Sequence, residues 1–366
     1  MSVDLDDLIR PALADMTPYS PGLRPSQLRE RLGADRVVKL SSNEHPEGPV
    51  PAALAAIRAA APHLNRYPDG ACTALKERLA ARLGIDPAQV VVGAGSNEIE
   101  RLLGQVLLRP GDQVVYAWPS FVVYPMVANM FEAQHVRVPL RDDAHDLEAM
   151  LTAVTDRTRI VFLCNPNNPT GTIFTKAALE SFMEAVPESA VVVLDEAYFE
   201  FVSDDDYPDG MTFFDGERPV VITRTFSKIY SLAGLRVGYA AAPEPLARAI
   251  DKVREPFNVN MLAQAAAFHS LDSDAEVARR RRETAKLREA LSAHLRSLGF
   301  EVPPSHANFV FAKSERAPEV FDALIERGVI TRAIGPGALR IGIGDADEMR
   351  YVHEVLSDVV ASLGGV

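Results

Sequence analysis

The stretch Arg159-Ile-Val-Phe-Leu-Cys-Asn-Pro-Asn-Asn-Pro-Thr-Gly171 decides how this 366-residue chain is read. It opens with a short, almost wholly apolar run and closes with a polar turn stiffened by two prolines. An apolar run of this length, without polar alternation, suits a strand buried on both faces. The same texture recurs outward from it. Val90-Val91-Val92, Gln113 to Ala117, Ala190 to Leu194, Val220 to Thr223 and Val237 to Ala241 are further apolar runs, with helical segments between them. Such strands alternating with helices predict an α/β fold, a mostly parallel sheet sandwiched by helices. Function in open sheets of this kind concentrates at the carboxyl ends of strands, where Asn165 to Gly171 falls.

After Pro256 the pattern changes to a long charged helical stretch over roughly 262 to 298. Two short strand candidates follow, Asn308 to Ala312 and Leu339 to Ile343. The reading is a large domain over 41–256, a smaller α+β domain over 257–366, and a proline-rich N-terminal arm over 1–40 that packs on the small domain. Hydrophobic residues make up 47% and charged residues 24% of the chain, which is ordinary for a soluble globular protein. The net charge of -12 argues against nucleic acid or an anionic membrane as partner. The one basic block, Arg279 to Arg282, is flanked by Glu276 and Glu283 and reads as the solvated face of a helix. The acidic start has no apolar core of a secretory signal, and Val114 to Phe131 is broken by Pro119 and Pro125. Two cysteines are too few for a disulfide framework, so a reduced, cytoplasmic setting is expected. The eight histidines show no metal-ligand spacing, and no metal is expected.

Four elements carry chemistry. Val92-Gly-Ala-Gly-Ser-Asn-Glu98 reads as a strand, a tight glycine turn and a helix start, which together bind anions through free N–H groups and the helix dipole. A dinucleotide fingerprint is the rival reading, but Glu98 stands where that motif wants its third small residue. Asn165 to Gly171 is the rigid turn at a strand end. In Val191-Val-Val-Leu-Asp195 a carboxylate closes a buried strand, which is costly without a cationic partner; a protonated pyridine nitrogen is one, and a plain helix cap is the alternative. Last comes Thr225-Phe-Ser-Lys228 with Arg236 eight residues on. A desolvated lysine amine is a nucleophile, and the Arg236 fork with Ser227 and Thr225 suits a phosphate.

This set, in this order, resembles fold-type-I pyridoxal-phosphate aminotransferases, and within them the histidinol-phosphate aminotransferase family. The likeness extends to Leu40-Ser-Ser-Asn-Glu44, Asn65-Arg-Tyr-Pro-Asp-Gly70, Pro256-Phe-Asn-Val-Asn260, Asn308-Phe309 and Leu339-Arg-Ile341. It implies pyridoxal 5'-phosphate as cofactor, carried by Lys228 as a Schiff base, with Lys228 then moving the proton. It implies Asp195 at the pyridine nitrogen and Asn168 and Tyr198 at the ring's phenolic oxygen. Ser96, Asn97, Thr225, Ser227 and Arg236 would hold the phosphate. Phe121 would stack on the ring in the place of the family's tyrosine. Tyr67 would reach the cofactor of a second subunit, which implies a homodimer with shared active sites. Arg340 would grip a substrate carboxylate, with Arg332, Asn43 and Tyr19 also at the substrate.

The reaction so implied is ping-pong transamination between histidinol phosphate and 2-oxoglutarate, a step of histidine biosynthesis. Aromatic aminotransferases are very similar, and the segment Ile334 to Gly337 is shorter than is usual in the family, so phenylalanine or tyrosine transamination is the alternative. Phosphothreonine decarboxylation comes third. A non-catalytic cofactor-binding domain lacks support from any appended DNA-binding region. A dinucleotide oxidoreductase would leave Lys228, Asp195 and the Asn165 to Gly171 turn unexplained.

Overall fold

The computed structural model describes residues 5, 8–13, 16, 18, 22–33 and 35–366. Tyr19 lies outside the described residues. The strands, in chain order, are β1 (Val38–Lys39), β2 (Val90–Gly93), β3 (Gln113–Trp118), β4 (Gln134–Pro139), β5 (Thr158–Cys164) and β6 (Val191–Asp195). They continue with β7 (Val220–Thr225), β8 (Gly238–Ala241), β9 (Phe309–Lys313), β10 (Val329–Ile330), β11 (Arg332–Ile334) and β12 (Ala338–Gly342).

The apolar runs pair into one seven-stranded sheet of order β2-β8-β7-β6-β5-β3-β4. β8 runs antiparallel to its neighbours β2 and β7, and the remaining pairings are parallel. The mostly parallel α/β sheet expected from the sequence is therefore present. Successive side chains of a strand face opposite ways, and both faces are covered. Phe162 and Val193 point into one core with Ile99, Leu102, Leu103 and Tyr124. Val161 and Val192 point into the other with Leu179, Phe182 and Met183. Burying each such side chain contributes about 1.5–3 kcal/mol, which is why these strands carry no polar alternation.

A three-stranded antiparallel sheet, β11-β12-β9, and the parallel pair β1-β10 form the second unit of sheet structure. Its core joins Val310, Leu339 and Ile341 to Leu291 and Leu295 of helix Asp274–Ser297 and to Val352 and Leu356 of helix Ala346–Leu363. Leu28 of helix Pro25–Leu32 packs on Ile325 and Ile330. Helix Met261–Ser270 contributes Ala263, Ala266 and Ala267 to a core shared with Val50, Leu75 and Leu79. No helix of the described residues is long and apolar enough to cross a membrane.

One sequence reading is corrected. Arg279 to Arg282 lie on a helix, but only Arg282 is exposed. Arg280 is 3% exposed and donates to the carbonyls of Ile229 (2.9 Å) and Gly48 (2.8 Å) and to Ser231 Oγ (2.7 Å). Arg281 Nε donates to the Glu200 carbonyl at 2.6 Å. Arg280 and Arg281 are clamps on chain turns, while Arg279 pairs with Glu47, Glu276 and Glu283. A guanidinium satisfies several carbonyls at once, and helical periodicity does not reveal which face meets them.

Phe162 stacks on Tyr124, with centroids 4.4 Å apart, and Tyr124 in turn reaches Asp195 at the end of β6. Phe162→Ala is expected to lower the unfolding free energy by about 3–5 kcal/mol, measured by denaturant titration.

Candidate active site

Strand register sets the site before any side chain does. Cys164 of β5 is opposite Asp195 of β6, Asp195 is opposite Thr223 of β7, and Gly238 of β8 lies between Thr225 of β7 and Gly93 of β2. One sheet edge thus gathers the ends of β2, β5, β6 and β7, each followed by one of the four motif turns. Asp195 is buried there. Tyr124 Oη donates to its Oδ2 at 2.7 Å and the Ala197 N–H to its Oδ1 at 3.1 Å. Burial pushes the Asp195 carboxyl above its ordinary range, and the Tyr124 hydroxyl and Ala197 N–H pull it back.

The turn after β2 opens helix Ser96–Leu107. Gly95 has φ 89°, and a Cβ there would lie 2.6 Å from Arg236 Nη2, so glycine is required for the guanidinium to approach this turn. A Cβ on Gly238 would lie 2.5 Å from the Ser96 nitrogen. Arg236 Nη1 donates to Ser227 Oγ at 3.3 Å, and Thr225 Oγ1 accepts from the Ser227 N–H at 3.1 Å. Glu98, which counted against the dinucleotide reading, accepts from the Ala94 N–H and from Asn258 Nδ2, both at 2.6 Å, and fixes the turn. A helix N-terminus, a guanidinium and two hydroxyls converge where a doubly charged anion is stabilised.

Lys228 extends into the same cavity, Nζ donating to the Ser42 carbonyl at 3.3 Å and lying 5.6 Å from the Tyr198 ring centre. Burial, with Arg340 and Arg236 nearby, lowers its pKa to about 8. Asn43 Nδ2 donates to Tyr198 Oη at 2.9 Å. Arg340, in β12, donates through Nη1 to Asn168 Oδ1 and through Nη2 to the Ser41 carbonyl at 2.6 Å.

Of the residues singled out in the sequence, Asn43, Ser96, Asn97, Phe121, Asn168, Asp195, Tyr198, Thr225, Ser227, Lys228, Arg236 and Arg340 line this one cavity. Arg332 lines an adjoining open cavity of about 610 Å³ with Arg340, Trp118, Phe121 and Met126. Tyr67 is outside both: it is 79% exposed and stacks on Phe257 with centroids 4.4 Å apart. Apart from Ser42 and Ala197, which act through backbone groups, three side chains at the site had no role in the sequence reading. Tyr124 and Cys164 were seen only as parts of strings, and Glu100 not at all. Its signal was available, since a carboxyl next to Ile99 and one turn after Ser96 sits on an otherwise apolar helix face.

The cavity wall carries Lys228, Arg236 and Arg340 against the single carboxylate Asp195. Its complement is a dianionic phosphate at Arg236, a cationic ring nitrogen at Asp195, a flat ring at Phe121 and an aldehyde at Lys228. The residues present fit pyridoxal phosphate. Comparison with known proteins points the same way. Residues 35–356 match the family Aminotransferase class I and II. The chain is 45% identical to the histidinol-phosphate aminotransferase of Moorella thermoacetica, over 96% of this chain and 93% of that one. It is also 45% identical to the aromatic amino acid aminotransferase of Rhodococcus erythropolis, over 93% and 92%. The crystal structure of the Sinorhizobium meliloti histidinol-phosphate aminotransferase in complex with pyridoxal-5'-phosphate superposes with a TM-score of 0.87 at 30% identity, covering 96% of this chain and 98% of that one. The chain belongs to the class I and II aminotransferase family, in agreement with the resemblance read from its motifs.

The lowered lysine pKa has a direct consequence. The neutral, nucleophilic fraction of Lys228 rises as pH passes through about 8 rather than through the ordinary 10.5. Borohydride trapping of a simple aldehyde on Lys228, followed by peptide mass spectrometry across pH, is expected to show that midpoint. A midpoint at the ordinary lysine value would contradict it.

Proposed function

We propose that this chain is a pyridoxal-phosphate-dependent aminotransferase that exchanges an amino group between histidinol phosphate and a 2-oxo acid, 2-oxoglutarate first among them. The observation that carries the donor assignment is the pairing of Arg332 with Arg340 across β11 and β12, both facing the adjoining cavity. Two guanidiniums on one wall suit a phosphate-bearing substrate and, in the second half-reaction, a dicarboxylate.

The cofactor, when bound, supplies an electron sink for the carbanion formed at the substrate carbon. The protein's own groups do the rest. Arg236, Ser227, Thr225 and the N–H groups of Ser96 and Asn97 anchor the phosphate. Asp195 would face the cationic ring nitrogen. Asn168 and Tyr198 would hydrogen-bond the ring oxygen, and Phe121 would cover the ring face. Lys228 would be the attachment point and, as a neutral amine, would be the base that takes the proton from the substrate's α-carbon. Arg340 would orient the substrate carboxylate, while Asn43 fixes the Tyr198 hydroxyl in the same cavity.

A second donor class has its own support. Trp118, Phe121, Val122, Val123, Met126 and Ile334 make much of the adjoining cavity apolar, which suits phenylalanine or tyrosine. We also read the exposed Tyr67 and Phe257 pair as belonging to the surface that meets a second copy of the chain, so that Tyr67 acts in the partner's site. A homodimer working in the cytoplasm is the setting we assign.

Anaerobic spectral titration of the full chain with single amino donors tests the reading. Histidinol phosphate is expected to bleach the cofactor's visible band at far lower concentration than phenylalanine, and Lys228→Ala to give no conversion. The reverse donor order would make the chain an aromatic aminotransferase, and no visible band would end the cofactor assignment. Arg340→Ala is expected to raise the KM for the 2-oxo acid about tenfold or more, since a hydrogen bond to a charged group contributes about 1.5–3 kcal/mol. An unchanged KM in steady-state assays would remove Arg340 from that role.

A further inference from the structure

Glu100 is 0% exposed, yet no N–H or O–H of the described residues reaches either of its carboxyl oxygens. The group it faces within hydrogen-bonding reach is another carboxyl, that of Asp195. Other titratable groups near the pair are Tyr124, from helix Val123–Met130, and Cys164, at the end of β5, with Lys228 on the cavity side of Asp195. None of these is a cation directed at Glu100. Two buried carboxylates side by side cannot both ionise, so a proton must be held between them.

The hydrogen bonds decide which one holds it. Asp195 already accepts from the Tyr124 hydroxyl and the Ala197 N–H, both donors that stabilise an anion. Glu100 has no such donor, and burial together with the Asp195 charge pushes its carboxyl well above the ordinary range. The neutral acid satisfies Glu100 and adds a further donor to Asp195, beside Tyr124, Ala197 and the weak Cys164 thiol contact.

We propose that Glu100 is a positioning residue which, as the neutral acid, donates a hydrogen bond to Asp195 and holds that carboxylate ionised and oriented for the cationic ring nitrogen of pyridoxal phosphate. The role toward the ring rests on the function proposed above; the acid–carboxylate pair does not. Glu100 stands one turn into helix Ser96–Leu107, whose N-terminus faces the phosphate cradle. A single helix therefore offers N–H groups to one end of the cofactor and, through Asp195, a tuned carboxylate to the other. The proton stays on Glu100 throughout. Its effect is to make Asp195 a weaker base than it would be with the tyrosine and backbone donors alone.

Two measurements on the full chain test this. Infrared spectra of the protein as purified are expected to contain the carbonyl band of a buried neutral carboxylic acid at neutral pH, and Glu100→Gln to remove it. Glu200, also buried with its pKa raised to about 7, can contribute a band of its own, so the difference spectrum is the readout: no loss of a band between the unmodified chain and Glu100→Gln would overturn the pair. Nitrogen NMR of ring-labelled pyridoxal phosphate in the holoenzyme reads the second link. Glu100→Gln keeps a donor to Asp195 and should leave the titration midpoint of the ring nitrogen within a few tenths of a unit of the unmodified chain. Glu100→Leu removes the donor, strengthens Asp195 as a base, and should raise that midpoint by about one pH unit, the effect of one charge-assisted hydrogen bond. Equal midpoints for the leucine variant and the unmodified chain would overturn the role toward the ring. A chain that takes up no pyridoxal phosphate would defeat the functional reading, while the infrared band would still decide the pair.

Discussion

A carboxylate buried at the end of a central strand is the constraint around which this protein is arranged. Asp195 closes β6 at 2% exposure. A charge so placed is tolerated only where hydrogen bonds and opposite charge replace the water it has lost. Tyr124 comes from a helix on one side, Ala197 from the chain beyond the strand, Cys164 from the next strand and Glu100 from the helix after β2. The cations Lys228, Arg236 and Arg340 stand across the cavity. All of these placements except that of Arg340, which comes from β12, need the sheet order β2-β8-β7-β6-β5-β3, because that order brings the separate chain segments to one end of the sheet.

The second unit of sheet structure completes the cavity. Arg340 projects from β12 to Asn168, the residue at the centre of the rigid turn after β5. Asn308 donates to the Asn43 carbonyl at 3.0 Å, and the His306 N–H donates to the Gly171 carbonyl at 2.8 Å. Arg340 and the His306 backbone are thus tied by short polar contacts to the same turn, and Asn308 to Asn43 of the cavity wall. Arg280 adds a third tie, fixing the chain just beyond Lys228 through Ile229 and Ser231. The proton-moving role proposed for Lys228 depends on such fixing, since misplacement by about an ångström costs about a hundredfold in rate.

Much of this was legible in the linear sequence. Apolar runs bounded by turns marked the strands, because strands covered on both faces leave no polar alternation. The motif turns were legible because their chemistry is local: a glycine where backbone and guanidinium meet, a carboxylate where an apolar run stops, a lysine between hydroxyl donors. Arg279 to Arg282 was misread for the opposite reason. Charge and helical period were visible, but the carbonyls that Arg280 caps belong to residues near 48 and 230.

The sequence by itself determined the α/β class, the four motif turns and the family to which they belong, since each is written in neighbouring residues and in their order. Only the tertiary structure decided that Glu100 meets Asp195, that Tyr124 donates to it, that Arg332 pairs across the strand with Arg340, and that Tyr67 is exposed beside Phe257. The physical reason is that these contacts join residues far apart in the chain. Sheet order, strand register and the rotation of helices on the sheet set them, and no local pattern encodes those three quantities one residue at a time.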